Sequence, residues 1–238
     1  MHFISDNNMK ITLIGYGKMG REIEKAALER GHEIVLTIDV DNPEDFDSPA
    51  FLASTDVAIE FTRPESAYAN YLKCFERHIP VVAGTTGWLN HLDEIEKTCR
   101  EQNQTFFYAS NYSLGVNLFF ALNRHLAQMM NRFSEYDVRM EEIHHIHKLD
   151  APSGTAITLA EEIVRNIDRK NRDTLPIESI REGEVPGTHE VVYESNADLI
   201  RIRHEAKNRT GFALGAVLAA EFIHGKTGFF TMDDLLRL

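Results

Sequence analysis

The sequence predicts an α/β fold: a Rossmann-type parallel sheet with helices on both faces, joined to a smaller α+β part with a mixed open sheet. Three observations carry this. Short apolar runs alternate with helix-period segments as far as residue 108. The run "DVAIEFT" is apolar on both faces, as a parallel strand buried between helix layers must be. After residue 113 the alternation stops, and a long amphipathic helix is followed by strands of alternating polarity.

The elements follow in order. "MKITLIG" reads as a first strand ending in a glycine turn. "KMGREIEKAALERG" is a helix with Ile23, Ala26, Ala27 and Arg30 at helical spacing and Gly31 as its stop. "EIVLTID" is a second strand, and "NPEDFDSPAF" reads as a turn-rich loop. "DVAIEFT" precedes a helix opened by Pro64, the residue favoured at a first helical position. "PVVAGTTG", a helix around 91–103 and the strand "TFFYAS" complete the alternation. "LGVNLFFALNRHLAQMMNRF" is the long helix, and "YDVRMEEIHH" a half-exposed strand. "GTAITLAEEIVRNI" is a helix with a stripe of Ile157, Ala160, Ile163, Val164 and Ile167. "HEVVYES" and "DLIRIRHEA" form an antiparallel pair turning at Asn196. The small-residue helix "GFALGAVLAAEFIHG" packs back on the first sheet. The expected domains are 9–113 with 210–238, and 114–209; residues 1–8 are a polar extension.

The 238 residues carry a net charge of -12, which argues against nonspecific nucleic-acid binding. An anionic ligand would need a local basic cluster. Cys74 and Cys99 lack metal-type spacing and read as reduced thiols of a cytoplasmic protein. No apolar run reaches membrane-spanning length and no signal peptide is recognisable.

Gly15, Gly17 and Gly20 fit GxGxxG in its proper context: after a strand, opening a helix, with Asp39 19 positions beyond the last glycine. Gly15 allows the turn, Gly17 admits a pyrophosphate, and Gly20 lets helix and strand approach. The helix N-terminus favours the anion. Asp39 suits a ribose diol and disfavours a 2′-phosphate, while Lys18 can reach a phosphate; NADH is expected, with NADPH tolerated. Gly84, Thr85 and Thr86 end a later strand at the same sheet edge, where they can meet the nicotinamide; 107–117 can cover its other side.

"EEIHHIHKLDAPSGTA" sets three histidines and a lysine before a Pro-Ser-Gly-Thr corner. On a strand, His145 and His147 share a face and His144 points away. Zinc needs three or four converging ligands, and the pair finds no obvious partners in sequence, so no metal is expected. Exposed strand histidines are the plain alternative. The corner argues for a site: Ser153, Gly154 and Thr155 start a helix whose N–H groups bind carboxylates, Lys148 can hold a second acid group, and a histidine can deliver a proton. Hydride from one half and a proton from the other make a reduction of a small dicarboxylate.

"GYGKMG", "EFTRPE", "AGTTG", "ASNYSLGVN" and above all "HHIHKLDAPSGTA" resemble the 4-hydroxy-tetrahydrodipicolinate reductase (dihydrodipicolinate reductase) family of lysine and diaminopimelate biosynthesis. The similarity continues through "REGEVPGTHEVVY" and "RHEAKNRTGFALGAV". It implies His144 as proton donor, Lys148 as second catalytic group, and His145, Gly154 and Thr155 on substrate. It also implies a cofactor held by Gly15, Tyr16, Gly17, Lys18, Met19, Gly20, Asp39, Gly84, Thr85, Thr86, Ala109, Ser110, Asn111 and Tyr112. His147 acquires no role and is treated as strand surface. The implied chemistry is loss of water to a cyclic imine, hydride to C4 and a proton to C3, with closure of the two halves excluding water, in a homotetramer built on the mixed sheet. One departure is a short segment between the second strand and "DVAIEFT", which bears on cofactor preference.

Three rivals remain. Another amino-acid dehydrogenase shares the glycine turn but lacks the histidine block. A regulatory nucleotide-binding protein predicts damage at the histidine or lysine, and both are intact. A zinc hydrolase predicts bound metal.

Overall fold

The structure is a computed structural model that describes residues 8–237; apart from Asn8, the polar extension lies outside the described residues. The chain divides into two compact units, one ending at Ser113 and resuming at Thr210, the other Leu114–Arg209.

The first unit is built on a six-stranded sheet whose pairings are all parallel. Its strands are β1 (Lys10–Ile14), β2 (Glu33–Ile38), β3 (Val57–Glu60), β4 (Val81–Ala83), β5 (Thr105–Tyr108) and β10 (Gly228–Phe230), in the order β10-β5-β4-β3-β1-β2. The order reverses between β1 and β3, so a crevice opens at their carboxyl ends, where ligands bind in doubly wound sheets. The strands are short and nearly all buried because helices cover both faces.

On one face lie α1 (Lys18–Glu29) and α7 (Thr210–Ile223), packing Ile23, Ala27, Ala216 and Ala220 against Ile11, Leu13 and Phe107. The small residues of α7 serve close approach: a Cβ on Gly215 would sit 1.7 Å from the Tyr112 carbonyl oxygen. On the other face α2 (Pro49–Ser54), α3 (Pro64–Phe75) and α4 (Leu92–Glu101) bury Phe51, Tyr71, Cys74 and Ile95 around Trp88 and Phe106. Both cysteines are free and buried. Arg30, at helical spacing with the buried Ile23, Ala26 and Ala27, pairs with Glu221 of α7 at 2.6 Å.

The second unit holds α5 (Leu114–Met130), β6 (Asp137–His144), α6 (Gly154–Asn166), β7 (Ile177–Arg181), β8 (Thr188–Glu194) and β9 (Leu199–Glu205). Its sheet runs β7-β6-β8-β9 and is mixed: β7 pairs with β6 in parallel, the other pairs antiparallel. Val138, Met140, Val191 and Tyr193 face α5 and α6 in one core. The opposite face pairs Arg201 and Arg203 with the buried Glu190. Among the described residues no helix is long and apolar enough to cross a membrane.

Four expectations need correction. The loop after β2 contains a 3-10 turn, Pro43–Asp47, and α2, because the Ser48 hydroxyl accepts the Phe51 N–H and buries Phe46 and Phe51 beneath it. On α6 the expected Ala160, Ile163 and Ile167 are buried and Val164 packs against the core, but Ile157 is exposed; Ala156 and Leu159 complete the apolar face in its place. The strands β7 and β10 were missed, being too short for periodicity to show. β6 ends at His144, so His145 and His147 do not share a strand face; His147 lies in the following turn, exposed beside Glu184.

Candidate active site

The glycine turn in the first unit behaves as its spacing requires. Gly15 has φ +92°, and a Cβ there would lie 2.1 Å from the Phe61 carbonyl oxygen. A Cβ on Gly20 would lie 2.4 Å from the Gly15 oxygen, which keeps helix and turn in contact. Gly17, the N-cap of α1, faces open space. Asp39 stands just past β2, with Oδ2 accepting the Tyr16 N–H at 3.0 Å and Oδ1 the Val40 N–H at 2.8 Å.

Gly15, Tyr16, Gly17 and Asp39 border a cavity of about 520 Å³ that also takes in Val40, Phe46, Phe61, Thr62, Arg63 and Lys73. The run "EFTRPE", which has no spacing signal of its own, lies here because β3 ends beside β1. Beneath the cavity is the buried Glu60, whose carboxyl is pushed up by burial although Thr62 and Tyr71 hydrogen bond to it.

The later turns stand at the same sheet edge without lining this cavity. Gly84, Thr85 and Thr86 follow β4; the buried Thr85 accepts the Thr62 N–H at 2.7 Å and braces one turn on the other. Ala109, Ser110, Asn111 and Tyr112 follow β5. Tyr112 is buried and donates its hydroxyl to the Ala83 oxygen at 2.8 Å, and the Asn111 side chain accepts the Ser113 N–H at 2.8 Å. Lys18 is exposed at the start of α1, and Met19 packs on the core.

The second cluster lies wholly within Leu114–Arg209. His144 closes β6 and is buried, and a Cβ on Gly187 would stand 3.1 Å from its Nε2. Burial lowers its pKa, with Glu142 opposing the shift. Lys148 follows in the loop and pairs with Asp150 at 2.8 Å. His145 precedes it, half-buried.

Ser153 caps α6, its hydroxyl accepting the Ala156 N–H at 3.2 Å while its own N–H donates to Glu142 Oε1 at 3.0 Å. The first-turn donors of Gly154 and Thr155 are left for an acid group, as helix geometry dictates. Gly154 is exposed, and a Cβ there would meet nothing within 4 Å.

Three further residues organise the cluster. Arg181 donates to Glu142 Oε1 at 3.1 Å, to the Lys148 oxygen at 3.3 Å and to the Asp150 oxygen at 2.5 Å, so one guanidinium pins the loop to the strand end. Burial would raise the Glu142 carboxyl, but hydrogen bonds from Ser153, Ser179 and Arg181 outweigh it and hold it low. His189 on β8 shares a hydrogen bond with Ser153 Oγ at 3.1 Å and is pushed down to about 4, chiefly by burial. The period-two rule makes Glu142 legible in the sequence, two positions before His144 on one strand face. Nothing local pointed to Arg181 or His189, which strand pairing alone delivers.

Glu142, His144 and His189 hold their donor atoms within 4.8 Å of one another, an arrangement able to grip a metal ion. The geometric metal candidate is thus this trio and not His145 with His147.

A glycine turn and a carboxylate just past the second strand of a parallel sheet, on one chain with a histidine, a lysine and a free helix start, suit a pyridine-nucleotide-dependent reductase of small acids. Family models described as dihydrodipicolinate reductase, N-terminus and C-terminus, match residues 9–112 and 115–236. The chain belongs to the dihydrodipicolinate reductase family.

It is 50% identical over 236 residues, 96% of this chain and 98% of the relative, to the 4-hydroxy-tetrahydrodipicolinate reductase of Christiangramia forsetii. It is 34% identical to that of Neisseria meningitidis serogroup C, over 90% of this chain and 84% of the relative. A solved structure described as dipicolinate-bound dihydrodipicolinate reductase from Paenisporosarcina sp. TG-14 shares the fold, with TM-score 0.77 at 20% identity, covering 95% of this chain and 99% of that one. The chain is an oxidoreductase that reduces 4-hydroxy-tetrahydrodipicolinate in lysine and diaminopimelate biosynthesis.

Proposed function

We propose that NADH, with NADPH accepted, is held by 9–113 and 210–238, and that 114–209 binds a cyclic dicarboxylate and protonates it. The observation that carries this reading is the grouping, inside one unit, of a buried histidine, a lysine and a capped helix start with two donors to spare. The Paenisporosarcina relative is described as binding dipicolinate, a dicarboxylate of the required kind.

In this reading the substrate loses water to give a conjugated imine, and hydride reaches C4. The electron pair moves towards the ring nitrogen, and C3 of the resulting enamine takes a proton from His144. Lys148 and the Gly154 and Thr155 donors hold the acid groups and the developing charge, with His145 beside them. Gly15 to Gly20, Asp39, the 84–86 turn and residues 109–112 hold the dinucleotide. When bound, the reduced nicotinamide supplies the hydride.

Asp39 favours a free ribose diol, while Arg63 and Lys73, both lining the cavity, supply cations that let a 2′-phosphate in. In this reading hydride comes from the nicotinamide and the proton from His144, so no metal is called on. The chain works in the cytoplasm as a homotetramer that pairs the outer faces of the β7-β6-β8-β9 sheet.

The test is oxidation of NADH and NADPH in parallel, with substrate generated in place from pyruvate and aspartate semialdehyde by the preceding synthase. Synthase-dependent oxidation, faster with NADH, is the expected result. Oxidation by neither cofactor in folded protein would overturn the assignment of these residues.

A further inference from the structure

The reaction as drawn gives Glu142 no role, yet its surroundings are unusual. The side chain is fully buried on the same strand face as His144. Oε1 is engaged by the Ser153 N–H and by Arg181. Oε2 makes no hydrogen bond and lies 3.2 Å from His144 Nδ1, a buried atom equally without one. A buried polar atom without a partner is costly; at 3.2 Å the two atoms are within reach but not aligned, and a turn of the imidazole that points an Nδ1–H at Oε2 satisfies both. His189 packs edge-on against the His144 ring at 5.0 Å, its Nε2 3.8 Å from the same Oε2. At the Nε2 side of the ring stands Gly187, where a Cβ would come within 3.1 Å of Nε2.

We propose that Glu142 is the positioning residue for proton delivery. Its Oε2 accepts the Nδ1–H of His144 and fixes the ring with Nε2 outward as the acid, while its Oε1 ties that ring to the start of the substrate-binding helix. The inference rests on His144 being the proton donor.

In the step, the Nε2–H bond breaks and a C3–H bond forms with the enamine electron pair. The imidazolium becomes neutral imidazole, keeps Nδ1–H on Glu142, and regains its Nε2 proton from solvent. The charged and titratable groups around His144 are Glu142 on its own strand, Lys148 and Asp150 in the loop, Arg181 on β7 and His189 on β8, with His204 of β9 beside His189. Removing the Glu142 charge leaves two cations against one anion and disfavours the imidazolium.

Glu142→Gln keeps the volume and the Ser153 acceptor but turns an amide N–H towards Nδ1. The expected kcat falls about 10- to 100-fold with cofactor Kd unchanged, less than the roughly 10²–10⁴-fold that general acid catalysis supplies in full, because the imidazole itself remains. The limb on which rate falls with rising pH moves down by about one unit. Added to His144→Gln, the change costs nothing further, because both act through one proton. Nitrogen-15 spectra of histidine-labelled resting protein should show His144 protonated on Nδ1, and not so in Glu142→Gln.

An active wild type with an unshifted pH profile in Glu142→Gln, or with losses that multiply in the double variant, overturns the proposal. So does an Nε2–H tautomer in the wild type, which decides the matter even if the variant fails to fold. Stoichiometric zinc whose removal abolishes activity also overturns it and makes the trio a metal site. A wild type inactive with both cofactors refutes the parent reading instead, and the tautomer then reports the Glu142–His144 contact alone.

Discussion

Asp39→Ala should reverse the cofactor preference. The carboxylate accepts N–H groups from Tyr16 and Val40, and in the complex it must also accept the ribose hydroxyls. A hydrogen bond to a charged acceptor contributes about 1.5–3 kcal/mol. Losing about 2 kcal/mol raises the Kd for NADH about 30-fold. For NADPH the same carboxylate repels a phosphate of charge near -2. At about 5 Å and the dielectric constant of water that repulsion is about 1.7 kcal/mol. Its removal tightens NADPH about 15- to 20-fold, since each tenfold step needs about 1.4 kcal/mol.

The ratio of the two constants therefore moves about 500-fold towards NADPH. The assay is titration of nicotinamide fluorescence with each reduced cofactor, at low and at high salt. High salt should shrink the NADPH gain and leave the NADH loss, because screening acts on the exposed charges. Equal losses for both cofactors would refute the reasoning and reduce Asp39 to a brace for the turn.

Other outcomes follow from the geometry. Lys148→Ala should lower kcat about 100-fold or more with cofactor Kd within about twofold, since the loss falls on charge developing in the transition state; stopped-flow turnover with direct cofactor binding reads both. Gly15→Ala should cost about 1–3 kcal/mol of stability, because φ +92° strains any L side chain and the Phe61 oxygen blocks the methyl; the urea midpoint reports it.

His189, neutral when folded down to about pH 4, binds fewer protons folded than unfolded, so stability is full above about 6.5 and is lost as pH falls towards 4. That loss amounts to about 3 kcal/mol, and His189→Gln should flatten the thermal-melting curve over this window.

The first unit was legible because its signals are local. A glycine turn, a strand apolar on both faces and a Pro64 helix start each state their own geometry within a few residues. Asp39 could be paired with Gly15 from spacing alone, because a βα unit has a nearly constant length. The histidine block and the helix start at Ser153 are neighbours in the chain, so their grouping at that end of α6 could be expected from local sequence.

Its inner workings were hidden for a different reason. Where a strand stops depends on the neighbours it can pair with, and β6 stops at His144 with β7 and β8 alongside. The strand β7 was too short to announce itself, yet it brings Arg181, 39 positions from Glu142, onto that carboxylate. β8 brings His189 to the same group from the opposite side. Local sequence thus determined the cofactor turn and the helix start, whose geometry is written in successive residues. Only the tertiary structure decided which carboxylate meets which imidazole, because strand pairing joins residues that no sequence period relates.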